Sequence, residues 1–412
     1  MNLEILLSEA KELQLLLTKH RRYLHSHPEL GFDLRQTKEY VKKELISMGY
    51  EPVECGKCGL IAMVGNQQSG KTFLLRADMD ALPIFEQTDV DYISGMNGHM
   101  HACGHDMHTA MLLGAARLLK THESEINGTV KLMFQPSEET LEGAKDMLEN
   151  HVLESPEVHA AMMIHVTLGM PFPTGTAIVC GGGVSAPAAD YFQIDIQGKG
   201  CHGAMPELGV DPINIASHIV IALQELHARE LAMADDAALT IGTIQAGNAN
   251  NIIPDTTVLR GTMRAYDENI RKRLKVRLEE VSKGIAKTFR GVADVSFTSG
   301  CPTLLNDANV SADVTKYCKE LLGEERAFSQ SDLISMDTVD AKATKAVGSE
   351  DFAYISHKVP SVMVTLTAGN AENGCPYPLH HPKVTFDEHA LAYGASIYAY
   401  SAMRWLKEHS ES

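Results

Sequence analysis

A chain of 412 residues exceeds the size one hydrophobic core usually sustains, so length alone predicts two domains. With 44% hydrophobic and 22% charged residues, the composition is that of a folded globular protein and excludes a largely disordered or low-complexity chain. The formal net charge of -17 runs against the clustered Lys and Arg that phosphate backbones reward, so neither nucleic acid nor an anionic membrane is an expected partner.

The opening MNLEILLSEAKELQ carries acids from its fourth residue and no unbroken apolar run. A secretory signal is therefore not expected, and no segment reaches membrane-spanning length. Eight cysteines scattered over a long chain predict reduced thiols in a cytoplasmic setting. Cys55 and Cys58 form one CxxC without a second pair, which reads as two loop thiols rather than a zinc knuckle.

In chain order, Leu3 to Ser26 predicts helix. FLLRAD (73–78), VKLMFQ (130–135) and AMMIH (161–165) are short apolar runs closed by polar residues, and a helical pattern from Asp106 to His122 lies between the first two. This alternation predicts an α/β fold with a mostly parallel sheet, whose ligands gather outside the carboxyl ends of the strands. From residue 189 the pattern becomes strand (YFQIDIQG), helix (PINIASHIVIALQELHARE), two strands (ALTIGTIQ, TTVLRGTMRAY), helix (NIRKRLKVRLEEVSKGIAKTF) and strand (VADVSFTS). That order is the ferredoxin-like one. After Gly300 the α/β alternation resumes with SVMVTLTA (361–368) and a closing helix from about Glu388. The expected organisation is a catalytic domain over 1–188 and 301–412, interrupted by an inserted ferredoxin-like domain over 189–300.

Four segments carry candidate chemistry. HACGHDMH (101–108) sets Cys103 and His105 two residues apart at a helix entry, donors that suit zinc and similar borderline metals, with the helix dipole expected to favour the Cys103 thiolate. In FQPSEET, Glu138 and Glu139 follow a buried strand; one carboxylate could bind metal while the other works as a general base. His165 closes an apolar strand, where a packed core histidine is the equally plain reading. PLHHPKVTFDEHA offers His380 and His381, either of which could sit on the surface.

Taken together with LHSHPELGF, RADMDALPI, QPSEE, GAKDM, GKGCHGAMPELGVDPI, NIIPD, GSEDFA and LHHP, these pieces resemble the M20 metallopeptidases, in particular the aminoacylase and hippurate hydrolase-like amidohydrolases. The resemblance runs in the family's order from near one end of the chain to near the other. It implies a site for two divalent metal ions (Zn, Mn, Co or Ni) held by Cys103, His105, Glu139, His165 and His380, with Glu138 as the general base. His380 rather than His381 matches the family histidine by its spacing to Pro382. Asp80 falls where the family keeps a carboxylate that orients the ligand imidazoles, and Asp78 stands where related peptidases have a histidine ligand. In the inserted domain, His202 matches a histidine that reaches the active site, often from the partner subunit, and Asn251 and Arg264 match positions that bind the substrate's carboxylate. Guanidinium chemistry suits that task, although Arg264 can equally be the polar face of an alternating strand.

Met107 replaces the family's usual glycine and Ser137 a common alanine, and VSAPAAD (184–190) departs from the usual motif; the first could alter metal preference or narrow an acyl pocket. The implied reaction is hydrolysis of an N-acyl amino acid to a carboxylate and a free amino acid, in a homodimer or larger homo-oligomer. The readings set against it are a dipeptidase or carboxypeptidase with the same metals, a non-catalytic metal-dependent binding protein, and a thiol enzyme using Cys103.

Overall fold

The computed structural model describes residues 3–66, 70–336 and 348–410. Of these, residues 3–66, 70–185, 305–336 and 351–410 form one compact unit, and 186–304 with 348–350 a second. The expected first helix is two, Leu3–Glu12 and Gln14–Ser26, interrupted at Leu13.

The first unit is built on an eight-stranded sheet. Its strands include β1 (Val53–Cys55), β2 (Gly59–Gly65), β3 (Thr72–Asp78), β4 (Thr129–Gln135), β5 (Ala160–Thr167) and β6 (Ala177–Val179). Their order across the sheet is β1-β2-β4-β3-β5, followed by Ser361–Thr367, β6 and Ala327–Ser329. The central pairs β3–β4, β3–β5 and β5 with Ser361–Thr367 are parallel. Both faces of β3 and β4 are buried, which is why FLLRAD and VKLMFQ read as nearly continuous apolar runs rather than alternating ones. From β3 the chain goes to β4 on one side and then to β5 on the other. The crevice at the carboxyl ends of β3 and β5 is thus a topological switch point, where open α/β sheets bind their ligands.

The helix His105–Thr121 is buried over most of its length and packs against β3 and the helices Gln14–Ser26 and Ala390–Glu408. A Cβ on Gly114 would stand 2.6 Å from Leu17 and 2.8 Å from Ala395, so glycine is what lets the three helices meet. Met107 is completely buried in this core, so the residue that replaces the family glycine is a packing residue here. Cys55 closes β1, Cys58 lies just before β2, and both are buried free thiols.

The second unit has a four-stranded antiparallel sheet of Ala188–Gln197, Ala237–Ala246, Thr256–Ala265 and Val292–Cys301. Numbered in chain order these strands lie 2-3-1-4, the ferredoxin-like arrangement, with every pair antiparallel. The helices Pro212–Glu225 and Glu268–Thr288 cover one face and close a separate core around Ile194, Ile219, Leu259 and Leu278. Among the described residues, no helix is long and apolar enough to cross a membrane.

Candidate metal centre

Two strands of the first unit, one helix entry and one loop deliver the candidate donors. Cys103 and His105 flank Gly104, which caps the helix His105–Thr121 in the left-handed region at φ 86°. A Cβ there would meet Val166 at 2.5 Å, so this turn, which aims both neighbours at one place, requires glycine. Glu138 and Glu139 follow β4 through Ser137, itself left-handed at φ 58° and fixed by a 2.6 Å hydrogen bond between its hydroxyl and that of Thr140. His165 lies in β5, and His380 adopts φ 64° in the loop after Ser361–Thr367.

These side chains converge. Ligand atoms of Cys103, His105 and His165 lie within 4.8 Å of one another, as do those of Cys103, Glu139 and His380, and those of His105, Glu138 and Glu139. Cys103 Sγ is 3.6 Å from Nε2 of His165, and Oε1 of Glu139 is 3.9 Å from Nε2 of His105 and 3.7 Å from Nε2 of His380. His381 turns elsewhere: its ring stacks on Tyr377 and its Nδ1 accepts the Lys383 N–H. A 1220 Å³ cavity in the same unit, walled by Phe172, Arg326, Tyr377 and Tyr393 among others, contains none of the five donors.

The surroundings orient each donor. His105 donates its Nδ1–H to the main-chain carbonyl of Asp80 at 2.9 Å, which leaves Nε2 facing the cluster. The Asp80 carboxylate was expected to take that proton; it is 3.5 Å from Nδ1 and instead accepts the N–H groups of Glu138 and Glu139 at 3.0 and 3.1 Å. Asp80 therefore fixes His105 through its backbone and the glutamate pair through its side chain. His165 donates Nδ1–H to the Val166 carbonyl at 2.7 Å, which again directs Nε2 at the cluster.

Electrostatics correct one further expectation. Burial, reinforced by the Glu139 carboxylate, pushes the Cys103 thiol up rather than down, so the helix terminus does not supply a ready thiolate. Burial also pushes the Glu139 carboxyl up to about 7, against the favourable pull of His105. His105 itself is raised well above its ordinary value, because Asp78 and its other partners outweigh burial. Nε2 of His105 and Oε1 of Glu139 are buried with no hydrogen-bond partner. Two orphaned buried polar atoms, a buried thiol and a carboxyl resisting ionisation are all relieved by cations at this place, so the residues present fit a metal site.

Sequence reasoning gave no role to Arg76, His108 or Asp351. Arg76 is fully buried and bonds Asp78 (2.7 Å), Asp351 (3.2 Å) and Gln135 (2.9 Å). Its signal was a charge inside the apolar run FLLRAD. Behind the cluster, Asp106 in the first turn of the same helix meets Arg21 Nε and His25 Nδ1, each at 2.8 Å, while His25 Nε2 is 3.1 Å from Glu86. Burial alone would push the Asp106 carboxyl up; Arg21 and His25 outweigh it and hold it well below the carboxylate range. For His25, burial and Arg21 are outweighed by bonds to Asp106 and Glu86, and its pKa is raised. The Asp106 contribution to stability is present above about pH 3.9 and is lost as pH falls through its folded value. The His25 contribution is present below about pH 6.5 and is lost as pH rises through its own. Urea midpoints measured from pH 6 to 9 should fall in the wild type and stay flatter in His25→Gln; equal slopes would refute this cluster's role.

The model of peptidase family M20/M25/M40 matches residues 74–404. The chain belongs to this family. Among its M20 relatives, an IAA-amino acid hydrolase of Arabidopsis thaliana is 37% identical over 95% of this chain and 85% of its own length. The N-acetyl-L-cysteine deacetylase of Bacillus subtilis is 36% identical, covering 95% of this chain and 88% of its own. Among solved structures, a dinuclear metal-binding M20 peptidase from Bacillus subtilis superposes with a TM-score of 0.76 at 32% identity, over 96% of this chain and 99% of that one.

In the second unit of this M20 chain, the ribbon formed by Cys201–His202 and Ile252–Ile253 brings His202 and Asn251 together. The Gly203 N–H donates to the Asn251 carbonyl at 2.7 Å, and Nδ1 of the exposed His202 accepts the Ala204 N–H. Arg264 stands over the Tyr191 ring at 5.2 Å, and among the described residues no carboxylate lies within ion-pair distance of it.

Proposed function

We infer that this M20 enzyme hydrolyses the amide bond of N-acyl amino acids, releasing a carboxylate and a free amino acid. The observation that carries the reading is the convergence of Cys103, His105, Glu139, His165 and His380 with a second carboxylate, Glu138, beside them. Those five residues would hold two divalent cations; their mixed sulfur, nitrogen and oxygen donors suit zinc, manganese, cobalt or nickel. When bound, such a pair supplies Lewis acidity to the acyl carbonyl and lowers the pKa of water.

The chain's own groups do the rest. Glu138 takes the proton of the attacking water and returns it to the leaving nitrogen, which balances the hydrolysis without any further acid. Asp80 keeps both glutamates in place by holding their N–H groups. His202 donates a hydrogen bond to the oxyanion as charge develops there. Asn251 and Arg264 clasp the carboxylate of the departing amino acid. The eight free thiols agree with a reducing, cytoplasmic setting, and the exposed ribbon of the second unit with a homodimer.

A panel of N-acetyl, N-benzoyl and aminoacyl amino acids offered to the metal-replete protein tests the reading. Cleavage of the acetyl or benzoyl members is expected; cleavage of dipeptides alone would move the assignment to a peptidase, and no cleavage to a binding protein. Arg264→Met is expected to raise KM about 10- to 100-fold with a smaller change in kcat, as loss of a charged hydrogen bond to bound substrate should. An unchanged KM would remove Arg264 from the substrate site.

A further inference from the structure

The ladder between β3 and β5 stops at Arg76 and Met163, although the strands continue to Asp78 and Thr167. In the split beyond it, side chains take over the main-chain bonds. The Ile164 N–H donates to the Tyr398 hydroxyl at 2.8 Å, which donates to the Arg76 carbonyl at 2.6 Å. The Val166 N–H donates to Nε2 of His108 at 2.9 Å.

That last bond fixes the tautomer of His108. Because Nε2 accepts, the proton is on Nδ1, which donates to Oδ1 of Asp78 at 2.7 Å. With both nitrogens engaged, His108 has no lone pair for a cation, even though it lies with Asp78 and His105 within 4.8 Å. Its ring stands edge-on to that of His165, with centroids 4.7 Å apart. The residue whose N–H it holds, Val166, is also the one whose carbonyl receives the Nδ1–H of His165. A chain of contacts thus leads from Asp78 through His108 and the Val166 peptide to the His165 imidazole.

We propose that His108, oriented by Asp78, is a positioning residue that sets where the His165 imidazole stands and so the affinity of the cation position it shares with Cys103. The proposal rests on the reading that the converging donors hold two cations. Orientation of a ligand imidazole through an outer hydrogen-bond partner is worth about 10- to 100-fold in metal affinity.

The test is a cobalt(II) titration of the full-length, metal-stripped protein, followed by calorimetry and visible absorption, for wild type, His108→Leu and His108→Gln. Wild type is expected to take up two ions. His108→Leu should weaken one of them about 10- to 100-fold and shift its visible bands, while His108→Gln, whose amide can accept from Val166 and donate to Asp78, should stay within about threefold of wild type. Should the leucine chain not fold, His108→Asn, too short to span both partners, replaces it in the same comparison. Wild-type affinity for both ions in the leucine or asparagine variant overturns the proposal, as does a glutamine variant that is equally weak or does not fold. A wild-type protein that takes up no cobalt overturns the metal reading itself, a different and separable result.

Discussion

Glu138→Gln is expected to lower turnover of an N-acyl amino acid roughly 10²- to 10⁴-fold while cation content stays at the wild-type level. Glutamine keeps the size and the main-chain bond to Asp80 but cannot take a proton at neutral pH. The position is well prepared for a base: Glu138 is buried, with Oε2 4.0 Å from Nε2 of His105, at the edge of the donor cluster. Its neighbour Glu139 is close enough to His105 and His380 to share ions with both. On the proposed reading, two adjacent glutamates divide ligand and base between them. Turnover assays paired with metal analysis check the division. If cations are lost along with activity, Glu138 is a ligand and the base lies elsewhere.

Arg76→Met is expected to cost about 3–5 kcal/mol of stability, because a buried ion network loses a guanidinium and keeps its carboxylates. Arg76, Asp78 and Asp351 are each fully excluded from solvent. The network joins β3, the end of β4 through Gln135, and the segment at Asp351, whose Oδ2 also accepts the Ala144 N–H. Methionine approximates the volume but supplies no charge. Urea unfolding measures the loss, and a change below about 1 kcal/mol would mean that Asp78 and Asp351 are satisfied without the cation.

The reach of the sequence differed between elements for physical reasons. Strands buried on both faces announced themselves as apolar runs, and the polar ends Asp78 and Gln135, with His165 two residues inside the end of β5, marked the switch point. The ferredoxin-like unit was legible because its strands and helices follow one another without long excursions. The convergence of Cys103, His105, Glu139, His165 and His380 was implied by the family resemblance, whereas residue pattern alone left each of them open. What could not be read was partnership across the chain. Arg76 and Asp351 are 275 residues apart, and nothing local ties them together. His108 stood within a quoted motif, but its task depends on a ladder that stops two residues short of a strand end. The Asp80 role changed in detail because a main-chain carbonyl, invisible to residue type, took the imidazole proton. The Cys103 expectation failed because helix position was weighed without burial, which dominates in a closed site.

The most direct measurement is X-ray absorption at the zinc edge of zinc-loaded protein. A sulfur scatterer at about 2.3 Å among nitrogen and oxygen neighbours is expected, abolished in Cys103→Ser. A spectrum with no sulfur neighbour, or one unchanged by that substitution, would contradict it.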